Sequence, residues 1–366
     1  MSSLKAGGRR ATACTAVLVS SLLVIPFVLG QAGPADGEEL VRVRRVHYLM
    51  GTLFEITAYG RNRPETAQAI EEAFARIREA DEAMSHYRPE SDLMRLNRRG
   101  GKQAVPVPAA LYAVLRESLQ YGEVSGGAFD VTVGPLVRLW QEAAERQQLP
   151  SAEAIAAVRA RVGFAKVKLL PGSRVQFARE GVEVNLGGIG KGWAVDAARD
   201  VLRAHGIENA LISAGTSTVY ALGSVPGGQG WPVALRDPCN REGTFETLSL
   251  QDAAVSTSAS YERYWEIEGR RFGHIVDPRN GWPVEPLLSA SVVAPTAAES
   301  DALSTAVYVL GREEGTSLLQ RLGREGVLVD EADNGGCVVR RINGREGKAS
   351  FFSRPGESHE GTPRQE

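Results

Sequence analysis

Hydrophobic and polar side chains alternate through "VRVRRVHY" (41–48) and again through "TLFEITAY" (52–59), with Leu49, Met50 and Gly51 between them. A period of two predicts half-buried strands, and the short gap predicts an antiparallel hairpin turning at Met50 and Gly51. The period then lengthens. Through residues 64–85, Ile70, Phe74, Ile77 and Met84 recur at helical spacing among charged residues, which predicts an amphipathic helix with its apolar stripe inward. A second helix is predicted from about Pro108 to Tyr121, with Leu111, Leu115 and Leu119 on one face, and a third after Pro150 with Ser151 as its cap. Short strands are expected at 167–170 and 182–185, then a helix over 190–205 that stops at Gly206, and a strand at 210–213. The last third predicts strands within 262–276 and over 289–293, then helices over 300–310 and 313–322. No repeat of fixed period and no low-complexity linker interrupts the series. One compact α+β domain over 41–352 is therefore expected, followed by a polar tail, 353–366, expected to be disordered.

Composition changes this picture mainly at the N-terminus. The chain has 366 residues, 43% of them hydrophobic and 23% charged, with a formal net charge of −2, so nothing in its charge favours a nucleic-acid partner. Residues 1–32 differ from the rest: Lys5, Arg9 and Arg10 precede the uncharged run "ATACTAVLVSSLLVIPFVLG" and a small-residue "AGPA" segment. That is the pattern of an export signal peptide, with a retained N-terminal membrane anchor as the alternative, because ~20 apolar residues suffice to span a bilayer. Either reading places the globular part outside the cytoplasm, in the periplasm or on the outer face of the inner membrane. Cys14 lies too early in the run for a lipoprotein site. An oxidising compartment would allow the other two cysteines, Cys239 and Cys337, to pair, but their spacing does not show that they meet.

Four strings carry candidate chemistry. In "VNLGGIGKGWAVD", Gly187, Gly188, Gly190 and Gly192 allow close backbone approach to a ligand at a helix start, and Lys191 adds a positive charge; phosphate fits, as does a tight structural turn. In "ESDALSTAVYVLG", Asp301 and Thr305 are four residues apart on one helical face, a partial oxygen shell for a hard cation, or a cap and a buried hydroxyl. "RRFGHIVDPRNGWPV" carries His274 into a turn, in either a structural or an acid–base setting. "GGAFDVTVGPLVRLW" offers the plane of Phe129 and the carboxylate of Asp130, while Trp140 is expected in the core.

In this order, with "MGTLFEITAYG" and "SHYRPESDLMRLN" ahead of them, the strings resemble the ApbE family of FAD:protein FMN transferases over about Val46 to Leu322. The resemblance implies a mixed, largely antiparallel sheet with flanking helices. It also implies that Mg2+ is held by the Gly188 carbonyl, the Asp301 carboxylate and the Thr305 hydroxyl, and that FAD contacts Met50, Tyr87, Ala128, Phe129, Asp130, Asn185, Lys191 and Ile275. The implied reaction moves FMN from FAD to a threonine or serine hydroxyl of an exported or membrane flavoprotein and releases AMP, with His274 as the candidate for assisting proton removal. Hydrolysis of FAD to FMN and AMP, and flavin carriage without turnover, are the competing readings. The sequence departs from the family's usual glycines at Ala214 and Ala259, and has Asn185 where aspartate is frequent.

Overall fold

A computed structural model describes residues 40–240, 243–259, 264–285, 287–332 and 336–343, so the leader and tail expectations lie outside the described residues. Strands β1 (Val41–Leu49) and β2 (Thr52–Gly60) pair antiparallel from Val41↔Gly60 to Leu49↔Thr52. Met50 and Gly51 turn the chain at φ 50° and 75°, the pair of positive values that matches a two-residue loop to strand twist. Six further strands complete the sheet: β3 (Asn209–Ala214), β4 (Thr218–Leu222), β5 (Ala253–Ala259), β6 (Ser289–Ala294), β7 (Glu325–Glu331) and β8 (Cys337–Ile342). Their order in space is their order in the chain, and each neighbouring pair is antiparallel.

Helices α1 (Arg63–Met84), α2 (Asp92–Arg99), α3 (Ala109–Val124), α4 (Gly134–Arg146), α5 (Ala152–Arg159) and α6 (Gly190–Ala204) all lie between β2 and β3 in the chain, and α7 (Ala297–Leu322) lies between β6 and β7. Phe54, Ile56 and Ala58 of β2 and Ala210 and Ile212 of β3 form one core with Ile70, Phe74 and Ile77 of α1 and Ala194, Val195 and Ala198 of α6. The helical spacing of the α1 residues is what puts them on that single face. Val255, Val293, Val327 and Val329 point to the opposite side of the sheet and pack under a hairpin formed by Trp231–Arg236 and Thr244–Leu250. Every residue of β6 is buried, because helix α7 and the hairpin cover its two faces.

Cys239, in the connection of that hairpin, is disulfide-bonded to Cys337, the first residue of β8, with Cα atoms 6.1 Å apart across a sequence separation of 98. Asp237 lies beside the pair, but the two sulfurs are bonded to each other and offer no thiolate to a metal. Closing so long a loop removes chain entropy from the unfolded state. The Cys239→Ser, Cys337→Ser double variant is therefore expected to lose about 2–4 kcal/mol in urea unfolding. A midpoint equal to that of the oxidised parent would show that the bridge contributes nothing.

Two local expectations change. Residues 182–185 form no strand; the Asn97 amide of α2 takes both backbone hydrogen bonds of Val184 instead, N–H to Oδ1 at 2.8 Å and Nδ2 to C=O at 2.9 Å. A side chain thus replaces the neighbouring strand. The helices expected at 300–310 and 313–322 are joined into α7, with a break at Gly311, where φ is 75° and ψ is −167°. Trp140 is fully buried, as expected, and donates from Nε1 to Gly281 O at 2.9 Å.

Candidate functional site

The glycine string is wound tightly before α6 begins. Asn185 donates its backbone N–H to Val131 O (2.7 Å), and its Oδ1 accepts from Gly187 N (2.8 Å). Leu186 O then accepts from both Ile189 N and Gly190 N. Helix α6 starts at Gly190 with no side chain of its own capping it. Its cap comes from elsewhere: Asp301 Oδ2, in α7, accepts from Gly192 N at 3.1 Å. The favour is returned one turn along α6, where Asp196 accepts from Ala297 N (3.0 Å) and Ala298 N (2.8 Å), the first amides of α7. Those amides have no partner within their own helix. Each helix therefore caps the other, and two positive helix ends lie side by side. Burial pushes the Asp196 carboxyl up, against the opposing pull of Arg199 and the two amides.

Gly192 is what lets the helices approach so closely. A Cβ there would lie 2.5 Å from the carbonyl carbon of Ala297 and 2.8 Å from Ala298 Cα. The sequence reading offered capping of its own helix as the bland role for Asp301; the structure shows it capping the neighbouring one, 109 residues away.

Asp301 is only 5% exposed, and its second oxygen, Oδ1, accepts no hydrogen bond from the described residues. Thr305 stands one turn further on, with its Oγ1 3.3 Å from Asp301 O. A Cβ placed on Gly188 would be 3.2 Å from both Thr305 Oγ1 and Phe129 Cε2, so the backbone of the loop faces that hydroxyl directly. A carboxylate whose Oδ1 accepts no hydrogen bond from the described residues and a hydroxyl thus lie one turn apart on α7, with the Gly188 backbone beside the hydroxyl. All are hard oxygen donors and only one is charged, which suits a divalent cation that also takes ligands from a substrate phosphate.

The other candidate residues divide into those the structure gathers and those it leaves apart. A Cβ on Gly190 would touch Met50 Cε at 3.6 Å, so the β1–β2 turn reaches the start of α6. Phe129 is buried edge-on to Tyr121, with ring centroids 6.4 Å apart, and Ala128 is buried beside it. Burial first, then Glu299, Glu117 and Asp196, push the Tyr121 phenol upward. Lys191 Nζ reaches Gly187 O at 3.4 Å. Asp130 is committed internally: Oδ1 accepts from Thr132 N and Oγ1, and Oδ2 accepts from Phe164 N, all within 2.7 Å. Its visible work is to brace the backbone that presents Phe129. Ile275 packs against the core cluster that contains Phe129, Ala302 and Ala306, and half-buried His274 precedes it. The turn that follows is rigid: Asp277 binds Arg279 and Asn280 through its carboxylate and exchanges backbone bonds with Gly281 and Trp282.

Tyr87 is 73% exposed, and its ring lies 3.8 Å from that of His86. Burial lowers the His86 pKa from 6.5. A histidine depressed in the folded state contributes stability above its unfolded value, and that stability is lost as pH falls through the lower folded value. The His86→Asn variant is accordingly expected to show a shallower fall in melting temperature between pH 7.5 and 5 than the parent. Parallel pH profiles would remove His86 from the account. Asp196 and Tyr121 had not been singled out from the sequence as site residues, whereas Asp277 belongs to the turn expected after His274. Asp196 alone left a signal there, as the one carboxylate in "GKGWAVD".

A profile described as "ApbE family" matches residues 50–328. The chain is 34% identical over 319 residues to a protein of Treponema pallidum named FAD:protein FMN transferase, covering 81% of this chain and 87% of that one. It is 33% identical over 281 residues to the protein of the same name from Escherichia coli K12, covering 75% and 80% respectively. Among solved structures it is similar to the apo form of a Pseudomonas stutzeri flavinyl transferase ApbE, with a TM-score of 0.73 and 29% identity over 83% of this chain and 95% of that one.

Proposed function

The chain belongs to the ApbE family, and from that premise we propose that it transfers the FMN half of FAD to a threonine or serine hydroxyl of another protein, with Mg2+ as the bound ion. The observation that carries the metal reading is the placing of Asp301, whose Oδ1 accepts no hydrogen bond from the described residues, one turn from Thr305 on α7, with the Gly188 backbone beside that hydroxyl. In the proposed reaction the acceptor oxygen bonds to the FMN-side phosphorus, the bridging P–O bond of FAD breaks, and AMP leaves while the hydroxyl proton passes to a base. Bound in this shell, Mg2+ would supply charge neutralisation for the pyrophosphate oxygens.

The residues of the chain do the rest by position. The paired helix N-termini and Lys191 favour the negatively charged phosphates at the glycine loop. Phe129 and Met50 line the approach to the same loop from two sides and provide apolar surface for the flavin half. In this reading Ala128, Ile275 and Asn185 extend that wall, Asp130 braces it, and the exposed Tyr87 is a further flavin contact. His274 is the proton acceptor in this reading, placed next to Ile275 at the entry of a rigid turn. The basic and apolar leader would send the enzyme out of the cytoplasm, cleaved or anchored, where an exported or membrane flavoprotein is its acceptor.

The test is incubation of the purified protein with FAD, Mg2+ and candidate exported flavoproteins, read by mass spectrometry. Addition of an FMN phosphoester to one hydroxyl of the acceptor, with AMP released, is the expected result. Free FMN and AMP with the acceptor unlabelled would assign the protein to hydrolysis instead, and FAD left intact would assign it to carriage.

A further inference from the structure

Thr305 is not held by its own helix alone. Ser258, on β5, places its Oγ 3.3 Å from Thr305 Oγ1 and 3.0 Å from Ser304 Oγ. Ser304 is fully buried and donates to Asp301 O at 2.9 Å, the same carbonyl that lies 3.3 Å from Thr305 Oγ1. Three hydroxyls and one carbonyl therefore form a closed circuit between the sheet and α7.

A hydroxyl has one proton and two lone pairs, so the circuit can run in two senses. In one, Ser304 donates to Asp301 O, Ser258 donates to Ser304, and Thr305 donates to Ser258; both lone pairs of Thr305 then remain for an outside ligand. In the other, Thr305 donates to Asp301 O and Ser258 donates into a Thr305 lone pair, which leaves one. A cation drawn to Thr305 selects the first sense. Resting on the metal reading above, we infer that Ser258 is a positioning residue of the cation site: it takes the Thr305 proton and turns the hydroxyl oxygen toward the ion. Ser258 belongs to neither the glycine loop nor α7, and no spacing along the chain connects it to Thr305, 47 residues away.

The fold does not need this hydroxyl. Without it, Ser304 and Thr305 still have Asp301 O as acceptor, so no buried donor is orphaned. Partners one shell out from a metal typically change its affinity 10–100-fold, and the weaker end is expected here because Thr305 is a neutral ligand. The experiment compares the full-length parent, Ser258→Ala and Ser258→Thr. Melting temperature is followed during an MgCl2 titration without FAD, and the Mg2+ concentration for half-maximal transfer is measured separately. The expected result is a Ser258→Ala protein whose metal-free melting temperature stays within about 2 °C of the parent, since no buried donor is orphaned. Its half-saturating Mg2+ should rise about tenfold in both assays, with recovery in Ser258→Thr. Unchanged half-saturation in Ser258→Ala, beside a parent that responds to Mg2+, overturns the role of Ser258 alone, as does a large fall in metal-free melting temperature with Mg2+ response intact. A parent whose melting and transfer ignore both Mg2+ and EDTA overturns the metal reading, and this inference with it.

Discussion

The Asp301→Asn variant is expected to lose transfer by at least about 100-fold while keeping its fold, since removing a direct charged ligand should exceed the cost of removing an outer partner. The asparagine carbonyl oxygen can still accept from Gly192 N, so the cap on α6 survives. What changes is the other branch. A neutral Nδ2 with two protons replaces the oxygen that accepts no hydrogen bond from the described residues, and a donor there repels a cation instead of binding it. Asp301→Ala should be equally inactive and also less stable, by about 1–3 kcal/mol, because Gly192 N–H is then buried without an acceptor. Measuring transfer rates beside urea melts separates the two roles of one side chain. Parent-like transfer by Asp301→Asn would remove the carboxylate from the metal shell.

The second large effect is structural in origin. Gly192→Ala forces a methyl group against the Ala297 carbonyl and Ala298 Cα, and these are backbone atoms that no rotamer change can clear. The helices must part, which strains the Asp301 cap on α6 and the two Asp196 bonds to α7 together. Overpacking of this kind costs about 3 kcal/mol, and a displacement of about 1 Å at the reacting centre is enough to lower the rate ~100-fold. Gly190→Ala is the control. Its Cβ would meet only Leu186 and Met50, both at an ordinary 3.6 Å, and its melting temperature should equal or exceed that of the parent. If both variants melted like the parent, the close helix approach would carry no energetic weight.

Periodicity exposed the elements that have one wet face and hid those that do not. The β1–β2 hairpin and α1 were legible because their buried residues recur at two and at three to four positions. Strand β6, "SASVVA", was still expected over 289–293, but β5, "AAVSTSA", was not: small residues and hydroxyls fill both of its sides, and the covering of two faces erases the alternation. Helix α4 was missed for a different reason: it opens on Gly134 and Pro135, two residues that read as a turn, although proline is well placed in the first turn of a helix. The stretch 182–185 has a strand's composition but takes its hydrogen bonds from Asn97, a partner 87 residues away from Val184.

The candidate site divides along the same line. The sequence by itself determined the family, the α+β class, the glycine loop feeding a helix, and the placing of Asp301 and Thr305 on one helical face, because each of these follows from residue type and short-range spacing. Only the tertiary structure decided which lone pairs are free. It committed Asp130 to Thr132 and Phe164, left one oxygen of Asp301 without a partner among the described residues, joined Cys239 to Cys337, and brought Ser258 to Thr305. A hydrogen bond is satisfied by whatever group the fold brings within about 3 Å, and for Asp130 Oδ2, Asp301 Oδ2 and Thr305 that group comes from a distant part of the chain.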